Sequence, residues 1–306
     1  MISEQCGAHC TLEPDPVRRR GHWQTVDHDR DEVLAVAGQL LPAWPARADC
    51  RIEYLPGGYS NRNYRLDIDG ARYALRIVDG ARPQAGERQY LTVAAAPDVV
   101  GYDAQTGHML TRWIDGELLA ASPPSPAEGG GYLADLHAEI PSGIRRYDYQ
   151  AEIETLLADA VRPDREVVSR FRRLAWSASE NCGCHNDLNP WNVIRASRTA
   201  EAGPAHFRTL DWEFAGDNDR LFDLVGLGHG LQWTPEQLAA CAVAYAQTPS
   251  AQARPLHVTP RRLEDTVCAY RIREYAWAAA QIGVGNDRPE IIEQAAEMRR
   301  AIVASS

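Results

Sequence analysis

Cys184-His185-Asn186-Asp187-Leu188-Asn189-Pro190-Trp191-Asn192-Val193-Ile194 is the most informative stretch of this 306-residue chain. Asn-Pro-Trp-Asn predicts a loop, and the apolar residues after it begin a short strand. Downstream, Phe207 to Leu210 predicts a second short strand that ends in Asp211-Trp212-Glu213. Two such strands face each other as a hairpin and bring Asp187, Asn192 and Asp211 to one mouth. Taken singly, His, Asp and Asn in a loop are ordinary turn formers. Two acidic pieces in this order, with β-structure upstream, point instead to a site.

The site has the groups that phosphoryl transfer from ATP needs. One carboxylate orients the attacking hydroxyl and accepts its proton, while an amide oxygen and a second carboxylate hold Mg²⁺ against the phosphates. Mg²⁺ is a hard ion that takes such oxygen ligands and keeps several waters. The expected roles are Asp187 as base and Asn192 and Asp211 as metal ligands. His185 braces the loop through hydrogen bonds, and Glu213 is left with at most a water-mediated contact to the metal.

Three quoted segments carry a family resemblance. His185-x-Asp187-x-x-x-x-Asn192 resembles the catalytic-loop motif of the aminoglycoside phosphotransferase and choline kinase superfamily, which shares the protein-kinase fold. Asp211-Trp212-Glu213-Phe214-Ala215-Gly216, with Asn218-Asp219 and Phe222-Asp223-Leu224, resembles the metal-binding segment of bacterial choline kinases and thiamine kinases. Leu55-Pro56-Gly57-Gly58-Tyr59-Ser60-Asn61-Arg62-Asn63-Tyr64 resembles the nucleotide loop of choline and ethanolamine kinases. The match is ordered along residues 51 to about 225 and is nearest in motifs to bacterial choline kinases. It implies an α+β, protein-kinase-like two-lobe fold: a small antiparallel N-lobe sheet with one helix, and a mostly helical C-lobe. It also implies ATP as cofactor, with Gly57, Gly58, Ser60 and Asn61 at the nucleotide, and Asp223 as an anchor of the catalytic loop.

The upstream sequence reads the same way on physical grounds. Ile52 and Tyr54 alternate, as do Tyr64, Leu66 and Ile68, and then Tyr73, Leu75 and Ile77. Asp69-Gly70 between two alternating runs is a strong hairpin signal. A second hairpin is expected at Gln105-Thr106-Gly107, with a helix from Gln84 to Ala95 between the two. Gly57-Gly58 lets backbone amides approach a phosphate, although an ordinary bend needs glycine as well. Ala74 and Arg76 share one strand face, so a small residue could lie under adenine and a cation near the phosphates. Glu87 is the candidate to hold Arg76. Thr111-Arg112-Trp113-Ile114 falls where a lobe connector offers backbone groups to adenine, so Arg112, Trp113 and Ile114 join the nucleotide set.

Downstream of Gly116 the pattern turns helical, at Gly131–Ile140, Tyr149–Ala160 and Arg288–Val303. Thr234-Pro235-Glu236-Gln237 and Thr259-Pro260 add two capped helix starts. The resulting division is 1–30 as a flexible tail, 31–116 as the nucleotide-binding N-lobe, and 117–306 as the C-lobe with catalytic loop and acceptor site. A helix over Asp31–Leu41 opens the N-lobe.

Net charge is −10, with 44% hydrophobic and 24% charged residues. That charge argues against nucleic acid or an anionic membrane as partner and suits a cationic small substrate. No apolar run reaches the length of a membrane span, and Met1–Arg20 lacks the apolar core of a secretory signal. Seven scattered cysteines read as reduced thiols of a cytoplasmic protein. Cys6-x-x-x-Cys10 and Cys182-x-Cys184-His185 lack the second ligand pair of a zinc site. A homodimer is compatible with the sequence and not required by it.

Choline kinases of the resembled type carry a Glu about two turns after the Phe-Asp pair. Here Gly226-Leu227-Gly228-His229-Gly230-Leu231-Gln232-Trp233 has no acid. Either another carboxylate serves, or the acceptor is not choline. Trp233, Tyr245, Tyr270, Tyr275 and Trp277 could cage a quaternary ammonium, or simply pack a core. Choline phosphorylation is the leading expectation, with aminoglycoside or thiamine phosphorylation next. A nucleotide-binding pseudokinase with a regulatory role is the reading from another class; it has no chemical use for Asp187.

Overall fold

The alternating runs of the first third become antiparallel strands. In the computed structural model, which describes residues 26–41, 50–55, 61–78, 86–197, 207–252, 255–286 and 288–305, the chain divides into two compact units. One comprises Met1–Gln84 with Pro97–Ile114, the other Ala85–Ala96 with Asp115–Ser306. The 85–96 segment, grouped by sequence with the sheet, thus belongs to the helical unit. Most of the expected tail, the Cys6/Cys10 pair, and Gly57, Gly58 and Ser60 lie outside the described residues.

The first unit opens with α1 (Val26–Leu40), five residues earlier than its hydrophobic spacing begins. Its sheet contains β1 (Cys50–Leu55), β2 (Asn61–Ile68), β3 (Ala71–Val78), β4 (Val99–Tyr102) and β5 (Met109–Arg112), ordered β1-β2-β3-β5-β4. Between β2 and β3, Asp69 and Gly70 both take positive φ, 47° and 82°. That is the turn whose twist matches antiparallel strands. At the second hairpin Gly107 has φ 79°, and Asp103 accepts from the Gln105 N–H at 2.8 Å and the Thr106 hydroxyl at 2.8 Å. Val33, Ala37 and Leu40 of α1 join Tyr64, Leu66, Leu75, Ile77 and Leu110 in the core beneath the sheet.

The second unit starts with α2 (Glu87–Tyr90), much shorter than the helix expected over Gln84–Ala95. Gly86 sits at φ 95°, and beyond Leu91 the chain leaves the helix in turns. There the Ala95 carbonyl accepts from the Thr209 N–H at 2.7 Å, and the Ala96 carbonyl from Arg208. Pairing with a strand-borne donor replaces helical bonding.

Next come β6 (Gly116–Leu118), α3 (Pro126–Glu139), α4 (Tyr149–Asp159) and α5 (Arg165–Leu174). α3 begins before Gly131 because Ser125 caps it and Pro126 opens it. Its glycines are contact points: a side chain on Gly130 would strike the Cys241 carbonyl and the Tyr245 amide.

β7 (Cys182–Cys184), β8 (Val193–Ala196), β9 (Phe207–Thr209) and β10 (Gly216–Asn218) follow. β6-β8-β9 form one small sheet, with Val193 opposite Thr209; β10 pairs with β7. The chain ends in α6 (Arg220–Gly230), α7 (Pro235–Gln247), α8 (Pro260–Gly283) and α9 (Pro289–Ala304). Thr234 and Gln237 complete the reciprocal cap of α7. Phe222, Tyr149, Trp176 and Tyr270 stack edge to face in the core that joins α4, α6 and α8.

No described helix is long and apolar enough to cross a membrane. The described cysteines are free thiols and all are buried.

Candidate functional site

The loop from His185 to Asn192 hangs from a buried carboxylate. Asp223, on the first turn of α6, is 1% exposed. Its oxygens accept from the backbone N–H of His185 at 2.7 Å, the N–H of Asn186 at 2.7 Å, and His137 Nε2 at 2.9 Å. Burial alone would raise its pKa. The His137 hydrogen bond and the neighbouring imidazoles and amides outweigh burial, so the carboxyl lies below its ordinary value.

The chain of bonds continues outward. Tyr245 Oη lies 3.2 Å from His137 Nδ1 and accepts from Arg220 at 3.2 Å. One tautomer satisfies every member: arginine donates to tyrosine, tyrosine to Nδ1, and Nε2–H to Asp223. His137, Cys184 and Asp223 bring three metal-capable atoms within 4.8 Å of one another. Both His137 nitrogens and both Asp223 oxygens are engaged by protein partners, so the cluster is an anchor.

His185 is fully buried, and its Nε2 donates to the Leu210 carbonyl at 2.8 Å. Its Nδ1 has no hydrogen-bond partner among the described residues, and its ring meets Trp212 edge-on at 5.0 Å. Burial lowers its pKa against the pull of Asp223 and Asp187, so the ring is neutral with its proton on Nε2. Leu210 is held at both ends, because its N–H donates to the Asn192 carbonyl at 2.7 Å. Asp211 follows directly, at φ 59° and ψ 68°. That left-handed conformation is uncommon for a residue with a side chain. It turns the chain into the short 3₁₀ segment Trp212–Phe214, which Arg145 fastens by donating to the Glu213 carbonyl at 2.8 Å and the Ala215 carbonyl at 3.0 Å. Asn186, at φ 67°, donates to the Phe214 carbonyl at 2.9 Å and ties loop to turn once more.

Asp187 has 16% of its side chain exposed. Asn192 Nδ2 donates to its carbonyl at 3.0 Å and to its Oδ2 at 3.1 Å. Its Oδ1 lies 2.9 Å from Arg273 of α8. With the Asn192 nitrogen committed to Asp187, the amide offers its oxygen to a ligand. That oxygen and the Asp211 carboxylate are a hard donor pair of the kind Mg²⁺ takes, so these residues fit the ion.

The nucleotide set from the first unit is only partly described. Arg76 is 8% exposed and donates to the Gly107 carbonyl at 3.2 Å. Asn61, 6% exposed, opens β2 opposite Val78. Arg112 donates to the Tyr73 hydroxyl at 3.2 Å and stacks on that ring. The Trp113 N–H is taken by the Arg72 carbonyl at 3.0 Å, and Ile114 ends the unit. Glu87 is buried in the first turn of α2, in the other unit from Arg76.

Of the five aromatics, Tyr245, Tyr270 and Tyr275 are core residues. Trp233 lies over Gly129 and Gly228. Arg273 is not legible as a site residue in the sequence, because neither arginine of Tyr270-Arg271-Ile272-Arg273-Glu274 carries a mark of burial. The apolar neighbours Ala269, Ile272 and Ala276, at helical spacing around it, were the available signal.

The sequence profile described as the phosphotransferase enzyme family (APH) matches residues 51–258. No curated protein matches the chain in a sequence search. Among solved structures, a choline/ethanolamine kinase family protein from Mesorhizobium loti aligns at TM-score 0.65 and 24% identity, covering 90% of this chain and 94% of that one. Choline kinase LicA from Streptococcus pneumoniae aligns at TM-score 0.68 and 15% identity, covering 91% and 99%. Spectinomycin phosphotransferase APH(9)-Ia, in complex with ADP and spectinomycin, aligns at TM-score 0.55 and 10% identity, covering 90% and 98%. The two-lobe, protein-kinase-like fold expected from the motifs is the fold of this chain.

Proposed function

The chain belongs to the phosphotransferase enzyme family, and from that membership we propose that it transfers the γ-phosphate of ATP to the hydroxyl of a small cationic alcohol, choline first. The observation that carries the site is the double tie of Leu210, to Asn192 and to His185, beside an Asp187 that Asn192 itself holds. It supports one cluster of base and metal donors. Asp187 accepts the hydroxyl proton, Asn192 and Asp211 hold the magnesium, and His185 and Asp223 keep the loop in shape. Bound magnesium would neutralise charge on the phosphates. Nucleotide contacts from Gly57, Gly58, Ser60, Asn61, Arg76, Glu87, Arg112, Trp113 and Ile114 remain part of this reading.

Two acids near Asp187 in the helical unit, Glu274 and Glu152, support a small acceptor over an aminoglycoside. Glu274 Oε1 is bound to Arg273 at 2.6 Å and Oε2 accepts from Gln294 at 2.9 Å. Burial raises the Glu152 pKa, with Arg273 and Arg145 opposing. A polycationic sugar needs several uncommitted carboxylates, and these two have other partners or are partly desolvated. The buried thiols suit a cytoplasmic enzyme.

The test is ADP release from Mg·ATP with choline, ethanolamine, thiamine, homoserine and aminoglycosides as acceptors. Stimulation by choline is expected. If none stimulates release above background, the acceptor reading fails and a regulatory nucleotide-binding role takes its place.

A further inference from the structure

We infer that Arg273 is a positioning residue for phosphoryl transfer, fixing the orientation of the Asp187 carboxylate through the oxygen that Asn192 does not hold. The inference rests on Asp187 being the base.

Arg273 is 6% exposed, and its guanidinium reaches three places at once. One nitrogen is 2.9 Å from Asp187 Oδ1 and another 2.6 Å from Glu274 Oε1, while its central carbon lies over the Phe214 ring, 5.4 Å from the centroid. Phe214 ends the 3₁₀ turn that Asp211 opens. A single side chain of α8 therefore touches both acidic motifs. A planar fork of five donors can serve two carboxylates and an aromatic face together; a lysine ammonium cannot. Glu274 is held in turn by Gln294 of α9, so the clamp is backed by a further helix.

The effect on Asp187 is geometric. Its Oδ1 is bound to Arg273 and its Oδ2 to Asn192, which blocks rotation of the carboxylate. Each oxygen keeps one lone pair, and those two directions are where an acceptor hydroxyl can be received. Without Arg273, Asn192 is the one side chain among the described residues that holds the group. In the transfer, the acceptor oxygen bonds to the γ-phosphorus as the bond to the β,γ-bridging oxygen breaks. ADP leaves with that electron pair, and the hydroxyl proton passes to Asp187. Arg273 gives up no proton in any of this.

Holding α8 in place does not by itself require the ion pair, because α8 is also packed on α6 and α4. Tyr270 of α8 packs edge-on against Phe222 at 5.4 Å, and the Ala269 carbonyl accepts from Tyr149 at 2.9 Å. A buried ion pair is a weak source of net stability compared with apolar packing. Its use here lies in orientation.

The experiment is a double-mutant cycle on ADP release from Mg·ATP, with water as acceptor and with choline added, and thermal unfolding of every variant. Arg273→Met should lower kcat by about 10²-fold, the scale of a misplaced reacting group, with the KM for ATP changed by less than about threefold. Arg273→Lys should recover part of the loss. In an Asp187→Asn background, Arg273→Met should cost less than about threefold more, because the residue acts through the group already disabled. If Arg273→Met costs as much in that background as in the wild type, or if Lys does no better than Met, the inference is wrong. If Asp187→Asn alone keeps the wild-type rate, the base assignment fails instead, and that arm reports it separately. Should Arg273→Met not fold, Glu274→Gln tests the same clamp: a several-fold drop in kcat at unchanged KM supports it, and an unchanged kcat overturns it.

Discussion

Residues 185–192 and residues 226–233 lie against each other, and their sequences specify them in different ways. In the loop, polar residues recur at a spacing dictated by chemistry, and almost every polar atom has a named partner. In the helical segment the pattern is Gly226, Gly228 and Gly230, which offers no chemistry and reads as weakness in a helix. The structure gives each glycine a neighbour. A side chain on Gly226 would meet the Leu188 carbonyl at 2.9 Å and the Tyr270 ring at 3.0 Å. One on Gly228 would strike Leu238, and one on Gly230 would strike Pro190 and approach Trp191 at 3.5 Å. Phosphate chemistry demands fixed residue types and so is visible in one sequence. Close packing demands only smallness, and its partner cannot be read from the same stretch.

The largest way to separate the two regions is to remove chemistry without changing shape. Asp187→Asn should lower kcat by about 10²–10⁴-fold with little change in the unfolding midpoint, measured by steady-state ADP release and a thermal melt. An enzyme that keeps its turnover would cancel the distinction. Asp223→Ala does the opposite, attacking the support. It strands His137 and two buried backbone N–H groups, and should destabilise the protein by about 3–5 kcal/mol in denaturant unfolding.

Acidification probes the same support with a defined sign. The His185 pKa is depressed in the folded state, so its contribution is complete above its ordinary value near 6.5 and is lost as pH falls. Asp223 is also depressed, so its contribution persists to lower pH and is lost below about 4. Stability should therefore decline in two stages between neutral pH and strong acid. Denaturant melts of His185→Asn should show a smaller upper stage, with the remainder from His229, whose pKa burial also lowers; an unchanged profile in that variant would remove His185 from the account.

What was legible follows the same division. The hairpin at Asp69-Gly70, the facing strands after Asn192 and before Asp211, and the caps at Thr234 and Thr259 are local codes, and all three kinds are present in the structure. The early start of α3 was hidden because Gly129-Gly130-Gly131 reads as a breaker unless Trp233 and Cys241 are known to lie against it. The length of α2 is not legible locally, because the segment after it is held by Arg208 and Thr209, more than a hundred residues away. Arg273 is illegible for the same reason: its meaning is Asp187, and Asp187 lies on another element.

Gly230→Ala tests the packed segment directly. The new methyl must displace Pro190 or shift α6, which should cost about 1–3 kcal/mol despite the better helix propensity of alanine. If instead the variant is more stable than the parent in urea melts, the glycine spacing is not a packing requirement and the contrast with the loop collapses.

The smallest expected effect lies at the end of that segment, where a local code resumes. The Thr234 hydroxyl accepts from the Gln237 N–H at 3.3 Å, and Gln237 Oε1 accepts from the Thr234 N–H at 2.9 Å. Both residues are exposed and neither touches the loop, so only the first turn of α7 depends on them. Thr234→Ala should cost about 0.5–2 kcal/mol and leave kcat and KM unaltered. Equal losses in Thr234→Ala and Gly230→Ala would mean that the segment is held by its cap. A clear excess in the glycine variant would mean that it is held by the catalytic loop it packs on, which makes the segment a part of the site that no polar residue announces.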